Sequence, residues 1–144
     1  SAASDVYKRQ VEVRPIDPVD LMNPEPKEPQ NYIWFKARSS LPDVVSLHQC
    51  VLAYMSDMTL LDVCTNPHGV NFMNPNLHSA SLDHAMWFHR PFKADDWLLY
   101  HQDSPSASGA RGFNRGSIFD LNGNLIASVA QEGLIRFTEN SKTQ

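Results

Sequence analysis

SLPDVVSLHQCVLAYMSDM, Ser40 to Met58, is the stretch that sets the architecture. Ser40 has the chemistry of a helix cap, Pro42 suits a first turn, and Asp43 stands at the capping-box position, so the spacing predicts a helix start here. Beyond it, Val44, Val45, Leu47, Val51, Leu52, Tyr54, Met55 and Met58 fall nearly all round a helical wheel. A helix that is apolar on every side is a buried one. This one is long enough to be the single central helix of a domain.

Strands surround it. On the N-terminal side, Val11 to Arg14 alternates, and Asn31 to Arg38 is aromatic and β-branched. Between them Pro15, Pro18, Pro24, Pro26 and Pro29 argue for a surface excursion without helix. On the C-terminal side, Asn66-Pro67-His68-Gly69 and Asn74-Pro75-Asn76 break the chain, and only strand-like runs follow. These are Ala80–Phe88, Trp97–His101, Phe113–Asp120 and Asn124–Arg136, the last two joined across Asn122-Gly123, a hairpin turn signal. Two strands, one long buried helix and four strands predict an α+β hotdog fold, a central helix wrapped by an antiparallel sheet. The domain is expected over residues 11–138. The first ten residues, SAASDVYKRQ, carry almost no hydrophobic pattern and read as a disordered lead or an artefact, and residues 139–144 as a flexible tail.

With 144 residues, 42% of them hydrophobic, the chain is long enough for one real core. A net charge of −4 and the absence of a basic run speak against nucleic acid as a partner. No apolar run is long enough for a membrane span, and no secretory h-region is present. The ending, Asn140 to Gln144, is not a peroxisomal Ser-Lys-Leu, and cytoplasm is the default compartment. Cys50 and Cys64 lack metal-site spacing and sit in apolar context, which predicts buried free thiols.

Three polar residues break local rules. Asp57 lies late in an apolar helix, where burial disfavours its charge and the C-terminal end of the dipole repels it. It is either an exposed acid, one capping the next turn, or a buried carboxylate poised as a base. Ser81 falls in a strand whose alternation places it with Asp83 on one face and Leu82 with His84 on the other. It is a small sheet-face residue or a hydroxyl that orients water. Gln131 sits mid-strand among apolar neighbours, either in a cross-strand hydrogen bond on an exposed face or as an amide that holds water without titrating. The helix and two strands carry these three, so a wrapped helix would let them converge.

A second stretch adds chemistry. Ser81 to Phe92 (SLDHAMWFHRPF) sets Asp, two His and an Arg among Met86, Trp87 and Phe88, the pattern of a pocket wall. Together with Tyr54-Met-Ser-Asp57, Ser104 to Gly112 (SPSASGARG) and Gln131-Glu-Gly133, it closely resembles the acyl-CoA thioesterase II family, over about Val11 to Arg136. The long block is highly specific; Gln-Glu-Gly alone is weak. The resemblance implies the C-terminal unit of a double hotdog and an acyl-CoA hydrolase, with fatty acyl-CoA as substrate and no cofactor or metal.

Carried over residue by residue, it implies Asp57 as general base, with Ser81 and Gln131 holding the attacking water. Asp83 is then structural support, ordering His84 or Arg90. Met86, Trp87 and Phe88 are the candidate wall of an acyl tunnel, although half of a strand's side chains face away, and Arg90, Arg111 and Lys93 are candidates for the CoA phosphates. Hotdog active sites of this family form between two units, so a homodimer or pairing with a second hotdog unit is expected. The alternative is an inactive or partner-dependent acyl-CoA-binding half.

Other chemistries fit less well. No G-x-S-x-G elbow supports a Ser hydrolase. His84 and His89, five apart on a strand, point to opposite faces and do not make a metal pair. A hotdog hydratase, pairing His84 or His89 with Asp57, is the enzymatic runner-up.

Overall fold

The computed structural model describes residues 10–16, 26, 28–60 and 77–137. Its elements are β1 (Val11–Pro15), β2 (Gln30–Ala37), α1 (Val45–Leu60), β3 (Leu77–Ser81), β4 (Ala85–Phe88), β5 (Leu98–Ser108), β6 (Arg111–Phe119) and β7 (Leu125–Phe137). The strands form one seven-stranded antiparallel sheet in the order β1-β2-β5-β6-β7-β3, with β4 pairing farther along β7. One helix packed on a curled antiparallel sheet is the expected α+β hotdog. Most of the proline-rich excursion, the breaks after the helix, Cys64 and both chain ends lie outside the described residues.

Alternation decides which strand face meets the helix. Ile33, Phe35 and Ala37 of β2, Leu98 and Tyr100 of β5, Ile118 of β6, and Ala127 and Val129 of β7 pack with Leu52, Met55 and Leu60 of α1. Gly116 lies on this inner face, and a Cβ there would stand 2.3 Å from the Tyr100 ring. Its missing side chain lets Tyr100 lie flat against β6. The buried Tyr100 hydroxyl donates to the Ser56 carbonyl at 2.9 Å and ties the last turns of the helix to the sheet. Burial pushes that phenol well above its ordinary pKa, and the Asp57 charge pushes the same way, so it remains a neutral donor.

The helix differs from expectation in two respects. It starts at Val45, and the first carbonyl to accept a helical bond is that of Val44, not Ser40. The residues before it are fastened elsewhere. Leu41 N–H donates to Asp95 Oδ2 at 2.8 Å, and the buried His48 ring bridges the Pro42 carbonyl and the Ala94 N–H. Nor is the helix buried all round. Tyr54 is 43% exposed, while Leu52 and Met55 on the other side are buried; Val45, in line with Leu52 but two turns nearer the helix start, is 62% exposed. The curled sheet covers one side of the helix, and Cys50, expected to be buried, is exposed on the other.

The strand expected over Ala80–Phe88 is broken at Leu82, Asp83 and His84, which divides it into β3 and β4. Strand β5 runs beyond His101 to Ser108, with a register shift between Asp103 and Ser106 that brackets Pro105. Proline has no N–H for the ladder, so a bulge there costs no bond. The β6–β7 hairpin turns across Asn122-Gly123 as expected, with Gly123 at φ 82°.

Candidate active site

Asp57 projects from the last turn of α1 toward the seam where β3, β4 and β7 meet. Gln131, fully buried on the inner face of β7, donates from Nε2 to Asp57 Oδ1 at 2.8 Å. The same Nε2 makes a close contact with Ser81 Oγ, at the end of β3. Ser81 in turn donates to Asp57 Oδ1 across 3.4 Å. With two acceptors on its nitrogen side, the amide has one sensible orientation. Its Oε1 is buried with no partner among the described residues. All three rule-breaking residues therefore meet. Gln131 is not the exposed-face residue that its alternative reading allowed, and Asp57 is not the buried carboxylate expected of a base: its side chain is 50% exposed, because it stands at the rim of the cavity rather than under the sheet.

His84 joins them, which strand alternation did not foresee. Its Nδ1 lies 3.6 Å from Asp57 Oδ1, too long for a hydrogen bond but within ion-pair reach, and its Nε2 is 3.0 Å from Ser56 Oγ. The chain break at Leu82–His84 turns both Ser81 and His84 toward the helix. An open cavity of about 450 Å³ beside them is lined by Ala53, Tyr54, Asp57, Met58 and His84. Asp83 supports the structure, but not through His84 or Arg90. Its Oδ1 accepts the Glu132 N–H at 2.7 Å.

The expected substrate contacts are placed elsewhere. Met86 points inward and packs on the core, so its neighbour Trp87 points outward. Trp87 lines a separate hollow on the outer face of the sheet with His101, Phe113 and Ser128. Arg90 donates to the Leu125 carbonyl at 2.6 Å, at the start of β7, six residues before Gln131. Arg111 pairs with Glu132 at 3.0 Å, also on the outer face, because β6 buries Gly112 and Asn114 instead. None of the three reaches the Asp57 cavity within this chain, and Lys93 is not among the residues lining it. Ser56 and Tyr100 were missed in the sequence. The only cue was their polarity inside apolar runs.

A family model for acyl-CoA thioesterase matches residues 2–134. An acyl-CoA thioesterase II from Mycobacterium marinum, a crystal structure, is 47% identical and superposes with a TM-score of 0.79 over 94% of this chain. This chain belongs to the acyl-CoA thioesterase II family. Acyl-CoA thioesterase 2 of Haemophilus influenzae is 42% identical over 110 residues, 76% of this chain. A hot dog fold protein of Alicyclobacillus acidocaldarius, 16% identical with a TM-score of 0.70 over 90% of this chain and 47% of its own, shares the fold. The family member described here spans 38% of the Haemophilus relative and 52% of the Mycobacterium chain. No helix among its described residues is long and apolar enough to cross a membrane.

Proposed function

We propose that this chain hydrolyses fatty acyl-CoA to free fatty acid and coenzyme A, working in an assembly with a second hotdog unit. Asp57 is the general base. Ser81 and Gln131 hold the water in line with the thioester carbonyl carbon. The water oxygen forms the new C–O bond as its proton passes to Asp57. Collapse of the tetrahedral adduct breaks the C–S bond, and the proton returns to the departing sulfur. The balance needs only water, so the reaction calls for no cofactor.

One observation carries this reading. Residues 24 and 74 positions from Asp57 bring a hydroxyl and an amide onto a single carboxylate oxygen at the edge of a cavity. A buried amide such as Gln131 is costly unless it is used, and it orients water without competing for the proton. Asp57 is accessible enough to meet water.

The alternative, a half that binds acyl-CoA and catalyses nothing by itself, is favoured by the open cavity and the exposed helix side at Cys50 and Tyr54. A homodimer or a second hotdog unit would supply that wall. Thiol release from acyl-CoAs of graded chain length, with wild type beside Asp57→Asn and the oligomeric state measured in the same buffer, separates the two. Hydrolysis lost in the variant supports the hydrolase. A well-folded wild type inert at every chain length overturns it in favour of the dependent half.

A further inference from the structure

Ser56 has one hydroxyl hydrogen and three neighbours that compete for it. Its Oγ lies 3.0 Å from the Ala53 carbonyl oxygen, 3.4 Å from Met86 Sδ and 3.0 Å from His84 Nε2. If the hydrogen goes to Ala53, Oγ must accept from His84, and Nε2 carries the ring proton. If it goes to His84, Nδ1 carries the proton instead. In both cases a fully buried serine, itself pinned by Tyr100, grips one edge of the imidazole. The opposite edge faces Asp57.

The contacts on Asp57 are one-sided. Gln131 Nε2, Ser81 Oγ and His84 Nδ1 all approach Oδ1. No such contact falls on Oδ2 among the described residues. A carboxylate on a half-exposed side chain turns freely unless held, and that freedom is lost again each time the base must be aimed.

We propose that His84 is the positioning residue of this carboxylate. With the Ser56 hydroxyl donating to Nε2, the ring carries its proton on Nδ1 and presents that N–H to Asp57 Oδ1, keeps that oxygen against Gln131 and Ser81, and leaves Oδ2 to take the proton from water. The inference rests on the hydrolase reading above and deepens it.

The two amide substitutions of histidine separate the two edges of the ring. In His84→Asn the side-chain nitrogen stands near the Nδ1 position and retains the contact with Asp57. In His84→Gln it stands near the Nε2 position and retains only the contact with Ser56. His84→Gln is expected to lower kcat about 100-fold with KM unchanged, the cost of a misaimed catalytic group. His84→Asn is expected to keep most of kcat, and Ser56→Ala to lower it about tenfold. A merely structural histidine would give equal losses in the two amides, with KM and thermal midpoint moving together. That result overturns the proposal.

Ring ¹⁵N spectra supply a readout independent of turnover. Asp57→Asn should move the His84 Nδ1 resonance, and Ser56→Ala the Nε2 resonance. Shifts of this kind in a chain that hydrolyses nothing would support the clamp and sink only the hydrolase reading. Asp57-dependent hydrolysis with an unmoved His84 ring would sink only the clamp.

Discussion

Ser81 and His84 both lie against Asp57 Oδ1, at 3.4 Å and 3.6 Å, although a separation of three residues on a regular strand turns side chains to opposite faces. The cause is an extra residue. Ser81 pairs with Gly133 and Ala85 with Ala130, so Leu82, Asp83 and His84 stand against Gln131 and Glu132 alone. The Leu82 and Asp83 N–H groups both point to the Glu132 carbonyl, at 2.9 Å and 3.4 Å. A bulge of this kind re-aims side chains. Here it converts a strand face into a site.

Asp83 holds the bulge from outside by accepting the Glu132 N–H. Asp83→Ala should cost about 1 kcal/mol, as for an ordinary hydrogen bond. It should also lower hydrolysis at least tenfold, because Ser81 and Gln131 are set by the same few residues of backbone. Asp83→Asn keeps an acceptor oxygen and should retain most of both. Urea unfolding and thiol release on the three proteins check this, and an Ala variant with full stability and activity would refute it.

Gly116→Ala should destabilise the chain by about 1–3 kcal/mol, the range for overpacking a filled core. The new Cβ would stand 2.3 Å from Tyr100 Cε2, and Tyr100 is fully buried. Relief requires the ring to move, and with it the Tyr100 bond to Ser56. The double variant Gly116→Ala with Tyr100→Phe should recover little, since the clash is with the ring and not the hydroxyl. Denaturant midpoints decide it.

Acid should weaken the β6–β7 turn. The Asn124 side chain and backbone N–H, with the Asn122 N–H, hold the Asp120 carboxyl below the usual carboxylate range. A group whose pKa is lower folded than unfolded contributes stability above its unfolded value, near 4, and loses it as pH falls through the folded one. The difference in thermal midpoint between wild type and Asp120→Ala should therefore be full at pH 6 and shrink steadily below about pH 4. A difference that is constant across that range would contradict the assignment. The site is exposed, so salt should reduce the contribution of the Arg90 charge.

The element types were legible from local chemistry. Alternation in Asn31–Arg38, apolar spacing after Val44 and the Asn122-Gly123 turn each act within a few residues, and each element formed near its expected place. Helix burial was not legible to the same degree. Apolar side chains show what prefers to leave water, but not how far one curled sheet reaches round a helix, and Cys50 and Tyr54 remained outside. The helix start moved from Ser40 to Val44 because Asp95, 54 residues away, took the Leu41 N–H.

The sequence by itself determined the set of chemical groups: an acid late in an apolar helix, a hydroxyl beside an Asp-His pair, and an amide in an apolar strand. Their misfit with local rules was enough to single them out, because polar groups in apolar runs are costly without a use. Only the tertiary structure decided their meeting, and which neighbours joined it. Alternation set His84 on the face opposite Ser81, and one extra residue between Ser81 and Ala85 brought both to Asp57. Trp87, Arg90 and Arg111 carry the right chemistry for a ligand, but pleating and backbone anchoring keep them away from the Asp57 cavity. Residue type follows from the gene, whereas side-chain direction follows from register, and register is settled only when the apolar faces of strands distant in sequence pack together.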